Sequence, residues 1–243
     1  MTSGTRIGIL GGTFDPVHAG HVDTALAAQR ALALDRVLVM PSGTPPHRPS
    51  QPSASRFHRF AMTALAVNGL AGLVASDLEI GSTVPSYTFD TLARLHQSSL
   101  TASQIFFITG ADAFAEIETW SRYPQVLEMA HFVVVSRPGH AASALAAKLP
   151  ALAARMRSVT LQPSAAAGPR AQAAQVLEDL RRSLEVLLVD TPTHDVSSTE
   201  IRQRLESGKS ISGLVPAAVE TYICQHGLYS RGAVSASCGK SLA

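Results

Sequence analysis

The sequence is poor in charged residues, and neither sign of charge prevails. Only 16% of its 243 residues are Asp, Glu, Lys or Arg, and the formal net charge is +2 with histidine neutral. Such a balance does not indicate the strongly basic surface with which many proteins bind nucleic acids, although a local basic patch for phosphates remains compatible with it. Because apolar residues make up 46% of the chain, the composition is that of a globular protein with a sizeable core.

Cysteines and long apolar runs are also scarce. The two cysteines, Cys224 and Cys238, are too few for a disulfide framework, and we expect reduced thiols. The first apolar run, residues 7–10, is far shorter than the roughly 20 residues of a membrane-spanning helix. It is also too short for the core of a secretory signal. We therefore expect a cytoplasmic protein that has no membrane partner.

Short apolar segments alternate with helical patterns along most of the chain. The sequence predicts strands at residues 7–10, 36–40, 73–75, 104–109, 132–135 and 184–189. It predicts helices at residues 21–33, 56–67, 88–97, 124–129, 198–207 and 216–226. Continuous apolar strands that alternate with helices are typical of a sheet covered on both faces. We predict an α/β, Rossmann-like, doubly wound fold with a mostly parallel sheet and helices on both faces.

We expect a single domain at residues 1–230. Residues 141–183 begin with an Ala-rich stretch that has a proline-bounded break, which predicts helices and a loop or an insertion. Residues 231–243 are rich in Ser, Gly and Ala and are expected to form a disordered tail.

A Gly-rich turn, Gly-Gly-Thr-Phe-Asp-Pro at residues 11–16, follows the first predicted strand and leads into the first helix. In doubly wound folds, ligands bind beyond the carboxyl ends of strands. Glycines let the backbone approach a phosphate, and the start of the next helix offers N–H groups and a positive dipole end. The turn lacks the Lys-Ser/Thr of a Walker A loop and the Gly-x-Gly-x-x-Gly of a dinucleotide fingerprint.

Two histidines, His18 and His21, stand at the start of that helix with Gly20 between them. Their spacing puts both imidazoles on one helix face, where they can donate hydrogen bonds to phosphate oxygens. An isolated His-x-x-His pair is more often a core, surface or metal-binding pair. No cysteine stands nearby to complete a zinc site, and the Gly-rich turn precedes the pair, so we favour phosphate contact.

A second motif, Ser-Ser-Thr-Glu-Ile-Arg at residues 197–202, opens a helix after the last predicted strand. Ser197 and Glu200 have the spacing of a capping box, which explains the helix start without any ligand. The hydroxyls of Ser198 and Thr199 and the guanidinium of Arg202 also suit an anion site for a triphosphate. On this segment alone, the two interpretations are equally good.

Together and in this order, the two motifs resemble those of the nucleotidylyltransferase superfamily, whose H-x-G-H element is matched by residues 18–21. Within it, the chain resembles the bacterial nicotinate-nucleotide adenylyltransferases. Further runs that resemble this family stand at residues 45–48, 85–88, 110–112, 119–120 and 136–139. The resemblance covers residues 7–229, except that residues 141–183 match no recognised motif.

The resemblance implies transfer of AMP from ATP to nicotinate mononucleotide, giving nicotinate adenine dinucleotide and pyrophosphate in NAD biosynthesis. It implies Mg²⁺ bound with ATP and no metal site built from protein side chains. His18, His21 and Arg202 would be the catalytic groups on the phosphates. The family residues that would contact ATP correspond to Gly11, Gly12, Thr13, Phe14, Gly110, Asp112, Ser198 and Thr199. Those that would contact nicotinate mononucleotide correspond to Pro46, His47, Arg48, Ser86, Tyr87, Thr88, Trp120 and Arg137.

Other interpretations of single residues stay open. Trp120, which would stack on the pyridine ring, could instead belong to the core. Asp112, which would accept from the ATP ribose, could instead cap a helix. Tyr87 could pack against the sheet edge, and His47 and Arg48 could be solvated loop residues.

Other functions stay open as well. The acceptor could be another phosphate monoester, such as nicotinamide mononucleotide or phosphopantetheine. A nucleotide-binding regulator without chemistry would carry the same two phosphate motifs. An aminoacyl-tRNA synthetase fragment is disfavoured, because the chain has no Lys-Met-Ser-Lys-like run and no basic RNA surface. The sequence leaves a homo-oligomer open.

Overall fold

A computed structural model describes residues 5–46, 52–159 and 183–230. All the strands in these ranges belong to one sheet with the order β3-β2-β1-β4-β5-β7-β6, and every neighbouring pair is parallel. The strands are β1 (Ile7–Gly12), β2 (Arg36–Pro41), β3 (Leu73–Ala75), β4 (Ile105–Gly110), β5 (His131–Val135), β6 (Met156–Ser158) and β7 (Val186–Val189). The predicted Rossmann-like α/β fold is thereby confirmed.

The described α-helices are α1 (Ala19–Leu32), α2 (Arg56–Val67), α3 (Thr88–Gln97), α4 (Ala111–Phe114), α5 (Leu145–Lys148), α6 (Ser198–Glu206) and α7 (Ala217–Gln225). The sequence did not predict the one-turn helix α4 or the edge strand β6. The helix predicted at residues 124–129 is a 3₁₀ turn, Gln125–Glu128, instead of an α-helix.

The sheet is covered on both faces because successive side chains of a strand point to opposite sides. In β4, Phe106 and Ile108 pack with α1, α2 and α7, whereas Ile105 and Phe107 pack with α3 and α4 on the other face. The uninterrupted apolar runs of the central strands therefore supply two separate cores.

The strand order reverses between β1 and β4, which lie side by side in the centre of the sheet. From this point the chain winds outward in both directions, so the loops that follow β1 and β4 diverge and leave a crevice. β1 ends at Gly12 and β4 at Gly110, and both belong to predicted site motifs.

The two cysteines were expected to be reduced thiols. Cys224 is disulfide-bonded, so the expectation of a reduced thiol is wrong for this residue. The tail at residues 231–243, which contains Cys238, and residues 160–182 lie outside the described ranges. Across the ranges that are described, no helix is long and apolar enough to cross a bilayer.

Candidate active site

The Gly-rich turn lies at the crevice between β1 and β4. After β1 ends, Phe14 takes a positive φ of 51° and buries its ring. A Cβ atom on Gly12 would lie 2.6 Å from this ring, so only glycine fits at that position. The Phe14 ring in turn meets the edge of the His21 ring, with centroids 4.8 Å apart. The turn therefore sets the position of a histidine on α1.

His18 and His21 lie against each other at the start of α1, as their spacing predicted. Their rings are stacked with centroids 3.6 Å apart. The backbone N–H of His18 donates to His21 Nδ1 at 3.2 Å. Because Nδ1 of a neutral imidazole accepts only when the proton is on the other nitrogen, this bond assigns the His21 proton to Nε2. His21 thus has a donor left for a ligand.

The environment keeps both imidazoles uncharged. Burial, reinforced by the positive charge of Arg137 and opposed by Asp23, lowers the pKa of His18 to about 3. Burial, followed by the nearby His18 and Arg137, lowers the pKa of His21 well below its usual value. Two stacked rings could not both be charged without strong repulsion. At pH 7 they are neutral donors, while the permanent charge comes from the arginine.

Arg137 extends from the end of β5 towards these histidines. Its side chain passes over Gly110, where an added Cβ would lie 3.1 Å from its Cγ, and its Nη1 would lie 3.4 Å from a Cβ on Gly20. The resemblance placed Arg137 with nicotinate mononucleotide, but the structure places its guanidinium beside His18 and His21. Which substrate it contacts remains a prediction.

The second motif docks on the Gly-rich turn. Ser198 Oγ donates to the Pro16 carbonyl at 2.9 Å, and Arg202 Nη1 donates to the Asp15 carbonyl at 2.7 Å. Arg202 Nη2 also donates to Thr199 Oγ1 at 3.2 Å. The backbone from Asp15 to His18 can span at most about 11 Å, so the second motif docks close to the start of α1.

Helix α6 begins as predicted. Ser197 Oγ accepts from the backbone N–H of Glu200 at 3.1 Å, which is the capping half of the predicted box. The Glu200 carboxylate accepts instead from Arg204 Nε at 2.9 Å. Capping and anion binding are therefore compatible, because the cap uses Ser197, while Ser198 Oγ bonds to the turn and Thr199 Oγ1 bonds to Arg202.

A buried carboxylate, Asp15, joins the turn to distant segments. It accepts from the backbone N–H groups of Ser53 and Ala54 at 2.8 and 3.0 Å, and from the Tyr229 hydroxyl at 2.8 Å. Burial and the charge of Asp15 raise the pKa of Tyr229, so its hydroxyl stays a donor. Sequence reasoning missed this role, since 214 residues separate Tyr229 from Asp15.

Arg59 is a second buried group that sequence reasoning missed. Its guanidinium donates to the carbonyls of Thr13, Gly43 and Ala54 at 2.7, 3.2 and 3.3 Å. It therefore ties the Gly-rich turn to the loop after β2. A signal was present in the sequence, because Arg59 shares the apolar face of its helix with buried Met62.

A cavity of about 580 Å³ opens beside the turn, between β1, β4 and the start of α3. Its wall includes predicted residues from both substrate sets: Gly11, Gly12, Thr13, Pro46, Ser86, Tyr87, Thr88 and Trp120. Trp120 packs edge-on to Phe107, with ring centroids 6.0 Å apart, while it also lines the cavity. The core and ligand interpretations of this residue are thus compatible.

The cavity wall contains the start of α3. Its N-cap residue, Tyr87, makes no side-chain hydrogen bond to the first turn. Ser86 Oγ instead accepts from the backbone N–H of Gly43 at 3.1 Å and so connects the two loops of the wall. A helix start has a partial positive charge, and this one suits a carboxylate in the cavity.

Other predicted residues lie around this centre. A Cβ on Gly110 would lie 2.4 Å from Asp112 Oδ1, which explains the glycine and puts the carboxylate next to the end of β4. Asp112 lies in the first turn of α4 but does not cap it. His47 and Arg48 lie outside the described residues. Among those that are described, no cluster of three or more His, Cys, Asp or Glu side chains could hold a metal ion.

Comparisons with known proteins point to one family. Residues 9–204 match the family model described as cytidylyltransferase-like. Two proteins named "Probable nicotinate-nucleotide adenylyltransferase" are similar over nearly their whole length. The one from Desulfatibacillum aliphaticivorans is 39% identical, over 92% of this chain and 99% of its own. The one from Pseudomonas fluorescens is 42% identical, over 93% of this chain and 98% of its own.

A solved structure supports the fold independently. It is that of Plasmodium falciparum nicotinic acid mononucleotide adenylyltransferase complexed with NaAD. It has a TM-score of 0.62 and 18% identity, and covers 93% of this chain and 98% of its own. With the two motifs joined at one crevice and full-length relatives near 40% identity, the chain belongs to the nicotinate-nucleotide adenylyltransferases of the cytidylyltransferase-like family.

Proposed function

We propose that the crevice holds the two substrates of the family reaction side by side. The chain transfers AMP from ATP to nicotinate mononucleotide, forming nicotinate adenine dinucleotide and pyrophosphate in NAD biosynthesis. The starts of α1 and α6 hold the triphosphate of ATP, and the cavity holds the mononucleotide. The observation that carries this assignment is the docking of Arg202 and Ser198 on the turn that leads to His18.

The chemistry needs orientation and charge stabilisation more than it needs a base. A phosphate oxygen of nicotinate mononucleotide attacks the α-phosphorus of ATP in line. The new O–P bond forms as the bond to the β-phosphate oxygen breaks, and pyrophosphate leaves with that electron pair. With a second pKa of about 6, the attacking phosphate is largely ionised at pH 7. Donors from His21 and Arg202 stabilise the charge that develops on the phosphates.

Magnesium enters with ATP as part of that substrate. The described side chains include no acidic or histidine cluster that could hold a resident ion. Phosphate oxygens and water are ligands that Mg²⁺ prefers, and they suffice here. The protein contributes uncharged donors and arginines around the phosphates.

The preference for the acid over the amide comes from the start of α3. Tyr87 and Thr88 line the cavity at the positive end of this helix. A nicotinate carboxylate gains from that partial charge, whereas a neutral amide gains less. We expect the acid to be the better substrate.

The cell biology follows from the substrates. ATP is a cytoplasmic metabolite, and we place the enzyme in the cytoplasm. The net charge of +2 supports action without a nucleic-acid partner. Neither a membrane nor a second copy of the chain is required by the site, and size-exclusion chromatography distinguishes a monomer from a homo-oligomer.

Release of pyrophosphate tests the proposal. The protein is mixed with MgATP and one of three acceptors: nicotinate mononucleotide, nicotinamide mononucleotide or phosphopantetheine. We expect the highest kcat/KM with the nicotinate compound. Absence of pyrophosphate with all three would identify a binding protein without this chemistry. A higher kcat/KM for the amide would refute the role of the α3 helix start.

A further inference from the structure

The charges on the cavity wall have an unexpected sign for a site that binds a phosphate ester. Among the described residues that line it, only Glu79 and Glu116 are charged, and none is Lys, Arg or His. The positive charges lie next to the cavity, at Arg137 and Arg202. The carboxylates therefore favour a part of the ligand that is positive or neutral. The start of α3 at Thr88 is the exception, because its partial positive charge favours a negative group.

Glu79 is held firmly on this wall. Its residue is only 8% exposed. Thr91 Oγ1 donates to Glu79 Oε1 at 2.5 Å, and both residues line the cavity, so the carboxylate belongs to the wall. The backbone carbonyl of Glu79 accepts from the backbone N–H of Ser82 at 3.0 Å, and this bond fixes the backbone at Glu79. Glu116, in contrast, is exposed to solvent.

We propose that Glu79 is a specificity-determining residue that recognises the positive pyridinium ring of the mononucleotide. The nicotinate ring is positive at its nitrogen and negative at its carboxylate. Glu79 complements the first charge, and the start of α3 complements the second. The enzyme thereby selects the oxidised ring over the neutral dihydropyridine ring. This inference rests on the proposed function, since it assumes that the ring occupies the cavity.

The burial of Glu79 is what gives the charge its effect. Opposite charges separated by a few ångströms interact weakly in water but strongly where water is largely excluded. Part of that gain offsets the desolvation of both groups. We therefore expect Glu79 to favour the oxidised mononucleotide by about tenfold in kcat/KM. Glu116 contributes little, because solvent screens it.

The test compares nicotinate mononucleotide with its 1,4-dihydro form, each with saturating MgATP. These acceptors share phosphate, ribose and carboxylate and differ in ring charge. The wild type should prefer the oxidised form, and Glu79→Gln should reduce that preference by about tenfold, mainly through a higher KM for the oxidised form. Gln has the same size as Glu and can still accept from Thr91. An unchanged preference in Glu79→Gln overturns the proposal.

Three further variants separate charge from structure. Thr91→Val removes the hydrogen bond and keeps the charge, so it should affect both acceptors equally. Glu116→Gln removes an exposed charge of the same cavity and should leave the preference within twofold. Glu79→Asp keeps the charge and replaces Glu79→Gln in the test if the latter does not fold. It should retain most of the preference for the oxidised mononucleotide. A complete loss of that preference would contradict the charge model.

The outcomes also separate this inference from the proposed function. If the wild type releases no pyrophosphate with nicotinate mononucleotide, the proposed function fails. If it does so normally and Glu79→Gln keeps the wild-type preference, only the role of Glu79 fails. An equal loss on Glu116→Gln and Glu79→Gln would assign the preference to the general field of the cavity and overturn the specific role.

Discussion

The two halves of the crevice differ in the sign of their charged side chains. The phosphate half, formed by the Gly-rich turn, the starts of α1 and α6, and Arg137, combines neutral histidines with fixed guanidinium groups. The ring half, formed by the cavity, is aromatic at Trp120, and the charged side chains among its described lining residues are carboxylates. The difference shows that a single turn can separate an electropositive region from one whose described charged side chains are acidic.

Among the variants, His21→Ala should lower kcat the most, because it removes a phosphate donor from the phosphate half. Its Nε2–H is the donor left over after Nδ1 accepts from His18. Removal of one such donor to a transition state costs on the order of 100-fold in kcat. His21→Gln should recover part of this loss, since its amide N–H reaches a similar position. Steady-state kinetics with MgATP and nicotinate mononucleotide measure both values.

His96→Ala is the matched control for that experiment. His96 bonds to the Met129 carbonyl at 2.9 Å from the far part of α3 and does not line the cavity. Its kcat should stay near that of the wild type. A normal kcat in a folded His21→Ala protein would remove His21 from the mechanism, and with it the chemical role of the phosphate half.

Part of the acid sensitivity of the fold should come from His18 in the phosphate half. The pKa of His18 is about 3 in the folded protein and 6.5 without burial, so the folded state binds fewer protons than the unfolded state. Stability from this group is present above pH 6.5 and is lost as the pH falls from there towards 3. The loss between pH 8 and pH 5 amounts to about 2 kcal/mol.

His18→Gln should therefore lose less stability than the wild type over that pH range. Urea unfolding at pH 8 and pH 5 measures the difference. Buried His131, whose pKa burial lowers to about 4, contributes to both proteins and cancels in the comparison. Equal pH dependence in the two proteins would mean that His18 is not held neutral by its surroundings.

The motifs of the phosphate half were easier to recognise in the sequence than Glu79 of the ring half, for a physical reason. The glycines, both histidines and the Ser-Ser-Thr segment act through local backbone geometry, which a short motif specifies. Glu79 follows a three-residue strand in a segment with no helical or strand period, and its partner Thr91 is twelve residues away on another element. Only the fold brings such residues to one cavity.

The fold itself was predictable because its central strands are continuous apolar runs. The errors fall where tertiary contacts decide. Strand β6 has only three residues, two of them exposed, and it gains its partner solely from β7. Arg59 is buried because three carbonyls accept from its guanidinium, and two of them belong to loops distant in the sequence. Hydrophobic periodicity predicts which face of an element is buried. It does not predict polar partners that are distant in the sequence.

Trp120→Leu should separate the two halves by substrate. Loss of the indole face should raise KM for nicotinate mononucleotide by about tenfold, since stacking and cation–π contact with a pyridinium contribute about 1–2 kcal/mol. KM for ATP should change less than twofold. Trp120→Phe keeps an aromatic face and should recover most of the affinity. Equal increases in both KM values would instead indicate that Trp120 supports the core beside Phe107.

Tyr229→Phe should give the smallest effect and shows how far the phosphate half extends along the chain. The lost hydroxyl donates to Asp15 Oδ1, and the carbonyl of Asp15 holds Arg202. We expect a loss of about 1 kcal/mol in unfolding free energy and a few-fold higher KM for ATP, with KM for nicotinate mononucleotide unchanged. Tyr222→Phe is the matched control, because its hydroxyl contacts His58 Nδ1 at 2.9 Å, outside the crevice. In Tyr222→Phe, KM for ATP should stay unchanged even where the free energy of unfolding falls. If both variants lose stability and neither shifts KM for ATP, Tyr229 supports only the fold, and the phosphate half ends at Arg202.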